Sequence, residues 1–133
     1  MTAERWQLPA ETASAARARS MVRQFLAGSG ASQVDEPVAM LAVSELVTNA
    51  VLHSSGDSPL VLSVELRGGH LRIDVEDVGA GPPRLDHPGD EAEHGRGLHI
   101  VDQITDAWGW STAEDDTKHV WCDVPSRAQD ADG

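Results

Sequence analysis

Three short strings in this chain carry residue types that do chemistry when a site surrounds them. Glu45, Asn49 and His53 recur every four residues in Glu45-Leu46-Val47-Thr48-Asn49-Ala50-Val51-Leu52-His53. On a helix this places a carboxylate, an amide and an imidazole on one stripe. Asp77-Val78-Gly79-Ala80-Gly81 puts an acceptor-only carboxylate at a strand end, before glycines that let backbone approach a ligand closely. Gly95-Arg96-Gly97-Leu98 reads as the opening of a helix. Free N–H groups and the helix dipole attract phosphate there, and Arg96 adds a positive charge. Each string taken alone also has a plain structural explanation. A polar helix stripe is usually a solvated face, Asp-x-Gly-x-Gly is usually a strand end and turn, and a glycine pair is as often a hinge.

The elements that must position these residues follow from periodicity and punctuation. Arg5–Leu8 reads as a short edge strand closed by Pro9. Ala10–Ala27 reads as a helix rich in Ala and Arg, with Ala15, Val22, Phe25 and Leu26 near helical spacing, and Gly28-Ser29-Gly30 breaks it. Asp35 is a good N-cap for a second helix running to about His53, with Pro37 tolerated in its first turn. Leu41, Val47 and Val51 lie off the polar stripe of that helix and are expected to face the core. Leu60–Arg67 and His70–Asp77 alternate as strands, and Gly68-Gly69 between them is a hairpin signal. Residues 78–94, broken by Pro82-Pro83 and Pro88-Gly89, read as a long loop. Gly97–Ala107 reads as a third helix with Leu98, Val101 and Ile104 on one stripe, and Trp108–Ser111 and Lys118–Val124 as a last hairpin. This order predicts an α+β two-layer sandwich, a mixed, mainly antiparallel sheet with helices on one face. It fits one domain over residues 5–125 and a polar tail over 126–133.

Composition narrows the function classes. The chain has 133 residues, 40% of them hydrophobic, enough for one globular core. Its single cysteine, Cys122, excludes an internal disulfide and a Cys-rich zinc site. No apolar run approaches the ~20 residues of a membrane span, and no signal-peptide order opens the chain, so a cytoplasmic protein is expected. A net charge of −12 disfavours nucleic acid and anionic lipid and favours a partner with a basic face. Any phosphate ligand must then be held by local devices against the overall field. The sequence has no P-loop and none of the His-Arg-Asp or Asp-Phe-Gly strings of eukaryotic-type kinases.

Taken in order, the three strings resemble the N, G1 and G2 boxes of the Bergerat-fold, histidine-kinase-like (GHKL) ATP-binding family. The chain looks most like its small RsbW-like anti-sigma-factor serine kinases, over roughly residues 5–125. The resemblance implies ATP and Mg²⁺ as ligands. It makes Glu45 the general base and Asn49 the metal ligand, and it places His53 at a position often polar in the family. Asp77 would accept a hydrogen bond from the adenine amine, with Gly79 and Gly81 beside the base. Gly95, Arg96, Gly97 and Leu98 would lie at the phosphates, and residues 82–94 would be the lid over the nucleotide. Thr117 is the candidate for the small hydroxyl that supports the family's Asp from the last strand.

The resemblance further implies a bacterial serine/threonine protein kinase in a partner switch. Such a protein binds a sigma factor, phosphorylates an anti-anti-sigma (STAS-type) protein with Mg·ATP, and acts as a homodimer without touching nucleic acid or membrane. Arg17, Arg19 and Arg23 of the first helix fall in a region that contributes to dimer and partner contacts in such kinases. The alternative is a non-catalytic nucleotide-binding module that sequesters a protein partner. A sensor histidine kinase fits less well, since residues 10–27 contain no histidine to accept phosphate.

Overall fold

A computed structural model describes residues 2–31, 33–53, 58–78, 92–113 and 117–127. These form β1 (Thr2–Leu8), α1 (Ser14–Ser29), α2 (Glu36–His53), β2 (Leu60–Arg67), β3 (His70–Val78), α3 (Ala92–Ile104), β4 (Ala107–Thr112) and β5 (Thr117–Val124). The strands make one five-stranded sheet in the order β1-β2-β3-β5-β4. Every pairing is antiparallel, where the sequence reading left room for a parallel pair. The architecture is the expected α+β sandwich.

Alternation along the strands sorts residues between the two faces. On the inner face Leu62 pairs with Val75, Val64 with Ile73, Ile73 with Cys122, and Val75 with Val120. Ala18 and Val22 from α1, Ala42, Val43 and Leu46 from α2, and Leu98 and Val101 from α3 are buried with them in the same core. Each large aliphatic side chain buried this way contributes about 1.5–3 kcal/mol. Truncating Leu46 to Ala costs about 2–5 kcal/mol by loss of transfer energy and a cavity.

Local signals set the boundaries. α2 begins where the Asp35 side chain accepts the Val38 N–H at 3.2 Å, the predicted cap. α1 starts at Ser14, four residues later than the sequence suggests, because the Ser14 hydroxyl bonds the Pro9 carbonyl at 2.6 Å and Glu11–Ala13 turn instead. It ends at Gly30, whose φ of 65° lets the chain reverse. Gly68 and Gly69 both have positive φ (52° and 88°), as a two-residue I′ turn requires.

Two further expectations change. Leu41 is exposed rather than in the core, because α2 is apolar nearly all round and only one side of it meets the sheet. Residues 126 and 127 are not tail. Ser126 bridges to Val34, and the Arg127 N–H donates to the Gln33 carbonyl at 2.6 Å. Among the described residues no helix is long and apolar enough to cross a membrane.

Candidate nucleotide site

α2 carries the first part of the site. Its buried positions Ala42, Leu46, Val47 and Ala50 fix the helix rotation, and Asn49 turns inward with them, only 3% exposed. Glu45 and His53, one turn to either side on the same stripe, are half-buried. Arg19 of α1 donates to the Ser44 hydroxyl at 2.8 Å and so clips the neighbouring helix to α2 just before Glu45. Burial raises the Glu45 pKa above the usual carboxylate range. The Asn49 Nδ2 meets no hydrogen-bond partner among the described residues. An orphaned buried amide costs about 1–3 kcal/mol and calls for an explanation.

The second part lies at the end of β3. The inner-face row of apolar β3–β5 pairs stops at Asp77, which sits opposite Lys118. Asp77 is 2% exposed, and neither of its carboxylate oxygens has a hydrogen-bond partner among the described residues. Burial raises its pKa, while the charges of Lys118 and His119 pull it down and that of Glu76 adds to the rise. Thr117, the expected supporting hydroxyl, is buried at the strand end opposite Val78, on the other side of the register from Asp77. Lys118 is the residue that faces Asp77, and it is 1% exposed. It escaped the motif reading. The available signal was parity, since Lys118 falls in step with the inner-face residues Val120, Cys122 and Val124.

The third part is α3. The helix begins at Ala92, so Gly95, Arg96 and Gly97 lie inside its first turns rather than before it. Ala and Glu at 92 and 93 are helix formers, and a glycine in a helix interior is tolerated at about 1 kcal/mol. Leu98 is buried in the core, and the adjacent His99 has a buried Nε2 with no partner among the described residues. The expected base-side glycines Gly79 and Gly81, and residues 82–91 of the expected lid, lie outside the described residues.

The outer face of the sheet is chemically different. His119 lies 3.0 Å from Asp74, Arg5 pairs with Glu76 at 3.5 Å, and Arg72 grips Asp123 while stacking over Trp121. Arg5, Arg72, Asp74, Glu76 and His119 line an open groove of about 570 Å³. They satisfy one another, unlike Asn49 and Asp77.

Among the described residues no three His, Cys, Asp or Glu side chains converge into a metal cage. Mg²⁺ keeps several waters and is commonly held by one or two protein oxygens together with substrate phosphates, so the buried Asn49 carboxamide suits it as a lone protein ligand.

The sequence matches the family of histidine kinase-like ATPase domains over residues 8–122. The chain belongs to this family. Membership implies ATP binding and places the chain among kinase-like, ATP-using domains. No curated protein matches the sequence with significance. Among solved structures the chain is similar to the RsbU and RsbW domains of Rv1364c from Mycobacterium tuberculosis, at 21% identity and a TM-score of 0.70. That match covers 96% of this chain and 34% of the other, so the chain spans about a third of that protein's length. It is also similar to the Acinetobacter baumannii histidine kinase AdeS, at 14% identity and a TM-score of 0.51, covering 96% of this chain and 70% of that one. A histidine kinase domain from Erythrobacter litoralis EL346 aligns over 68% of this chain and 44% of its own, at 27% identity and a TM-score of 0.47. The first two of these likenesses describe the fold.

Proposed function

We propose that this ATPase domain is a serine/threonine protein kinase that acts as an anti-sigma factor in the bacterial cytoplasm. The observation that carries the reading is the pair Asn49 and Asp77, buried polar groups with unmet hydrogen-bonding capacity at the edge of a largely apolar interior. A ligand with an amine for the Asp77 carboxylate and an acceptor oxygen, such as a phosphate's, for the Asn49 Nδ2 would meet both needs, leaving the Asn49 Oδ1 free to face a phosphate-bound cation. ATP with Mg²⁺ has that chemistry, and the family expectation agrees.

In this reading Asp77 accepts from the adenine amine, and an acceptor-only carboxylate disfavours guanine, whose carbonyl stands at that position. Gly79 and Gly81 flank the base, and Gly95, Arg96, Gly97 and Leu98 border the phosphates. His53 and Thr117 stand at the margins of the pocket. Mg²⁺, held through Asn49, would neutralise charge on the phosphates. Glu45 takes the proton from the attacking hydroxyl. Its half-buried place one turn from Asn49 suits that role, because burial keeps the carboxylate a stronger base than a solvated one.

The phosphoacceptor is a Ser or Thr of an anti-anti-sigma (STAS-type) partner, and the other partner is a sigma factor. The kinase works as a homodimer. The net charge of −12 supports release of a phosphorylated partner, since phosphate adds about −1.5 to −2 charges next to an acidic surface. The test is transfer of labelled γ-phosphate to the anti-anti-sigma protein encoded nearest the gene, with wild type, Glu45→Gln and Asn49→Ala. Label on the partner with wild type alone supports the kinase. Nucleotide binding and partner capture without transfer would make the protein a non-catalytic sequestering module.

A further inference from the structure

We propose that Lys118 is a positioning residue of the base pocket, whose ammonium holds Asp77 as an acceptor-only carboxylate turned to the ligand's amine. The proposal rests on the nucleotide reading above. The antiparallel register sets Lys118 directly opposite Asp77, and the inner-face pairs Leu71–Val124, Ile73–Cys122 and Val75–Val120 lead up to them. Opposed side chains of this kind have Cβ atoms about 4.5–5.5 Å apart. A lysine 1% exposed at the end of an apolar row is not a solvated-face residue.

Lys118 makes no hydrogen bond to Asp77, whose two oxygens stay unpaired among the described residues. A close ion pair would occupy the carboxylate. A cation acting through its field leaves both oxygens available to a ligand. Burial favours the neutral acid, and a neutral carboxyl would turn a hydroxyl toward an amine that needs an acceptor. Lys118 and His119 of β5 oppose that, and Glu76 of β3 adds to it. The other elements packed on β3 bring Glu65 and Arg67 of β2, at the far end of the hairpin, and Glu36, Glu45 and His53 of α2. Among the described residues, the charges that chiefly act on Asp77 are those of Lys118, His119 and Glu76.

The test is calorimetric titration of Mg·ADP between about pH 5.5 and about pH 8 with wild type, Lys118→Met and Lys118→Arg. Lys118→Met should bind within about threefold of wild type at the alkaline end and lose about tenfold relative to it at the acidic end. Lys118→Arg should follow wild type. A Lys118→Met profile parallel to wild type, whether weaker throughout or unchanged, overturns the proposal. Carboxyl ¹³C NMR of the ligand-free protein reads the same coupling without nucleotide. The Asp77 midpoint should rise in Lys118→Met and stay in Lys118→Arg, and an unmoved midpoint overturns the proposal. Should Lys118→Met fail to fold, Lys118→Gln carries both comparisons. If wild type binds no Mg·ADP while the midpoint still moves, the nucleotide reading fails and the Lys118–Asp77 coupling stands.

Discussion

One helical turn separates Glu45 from Asn49, and within that turn α2 passes from the rim of the core to its interior: Glu45 is half-buried and Asn49 is 3% exposed. The two groups therefore have different tasks available. A half-buried carboxylate can exchange a proton with an incoming group, while an enclosed amide can only hold something already bound. Arg19, bonded to Ser44, fixes the helix face on which both stand.

Glu45→Gln should lower phosphotransfer by about 10²–10⁴-fold with little change in nucleotide affinity. The pH dependence has a defined sign. Burial raises the Glu45 pKa, so transfer should fall as pH drops through a value above that of an exposed glutamate. Folding responds oppositely. The folded state favours the protonated acid, so stability should be greatest below the unfolded pKa and decline as pH rises through the folded one. Glu45→Gln should remove that decline. A pH–rate profile and thermal melts check the two halves, and an unchanged transfer rate would end the base assignment.

Asn49→Ala should weaken Mg·ATP binding by about tenfold or more, the equivalent of at least about 1.4 kcal/mol. The same change removes an unpaired buried amide nitrogen, so the ligand-free protein should be no less stable than wild type. Calorimetry of Mg·ATP and a urea melt of the apo protein measure both. A strongly destabilised variant would mean that Asn49 is a structural residue.

Asp77→Asn should separate stability from function more sharply. Burial works against the Asp77 carboxylate more than the Lys118 and His119 charges favour it, so its neutral isostere should modestly stabilise the apo protein at neutral pH. The gain should shrink as pH falls through the Asp77 pKa, where wild type also becomes neutral. Nucleotide affinity should drop in the same variant, because the amide no longer presents two acceptors. Equal ADP binding by wild type and Asp77→Asn would remove Asp77 from the base pocket.

How far the sequence spoke depended on whether local chemistry or tertiary packing decided a position. Asp35 capping α2 and Gly68-Gly69 turning the hairpin are set within a few residues, and both are readable. The inward turn of Asn49 is not, because α2 is apolar on nearly every side and periodicity gives it no direction. Leu41 is exposed for the same reason. Lys118 is harder still, since residue type says surface and strand parity says core. α3 starts at Ala92, ahead of the glycines that suggest a break, because neighbouring Ala and Glu favour helix.

Cys122 should be chemically silent. It is fully buried between β3 and β4, and its thiol pKa is pushed up to about 12, chiefly by desolvation. A thiol-specific reagent at neutral pH should modify it only as fast as the sheet opens. Labelling kinetics followed through a urea titration check this. Rapid modification of the native protein would mean that β4, an edge strand, separates readily from β5.

Gly109 should be the least replaceable residue of β4. It pairs with Trp121, and a Cβ built on it would stand 2.7 Å from the Trp121 Cζ2 atom. The indole cannot move aside freely, because the Arg72 guanidinium stacks on it 4.1 Å from the ring centre and is itself held by Asp123. Gly109→Ala should therefore cost about 1–3 kcal/mol through displacement of the ring. Urea melts in two backgrounds isolate the cause. The penalty should largely vanish when Trp121 is Val. A penalty of the same size in both backgrounds would place the cause in the β4 backbone and not in the ring.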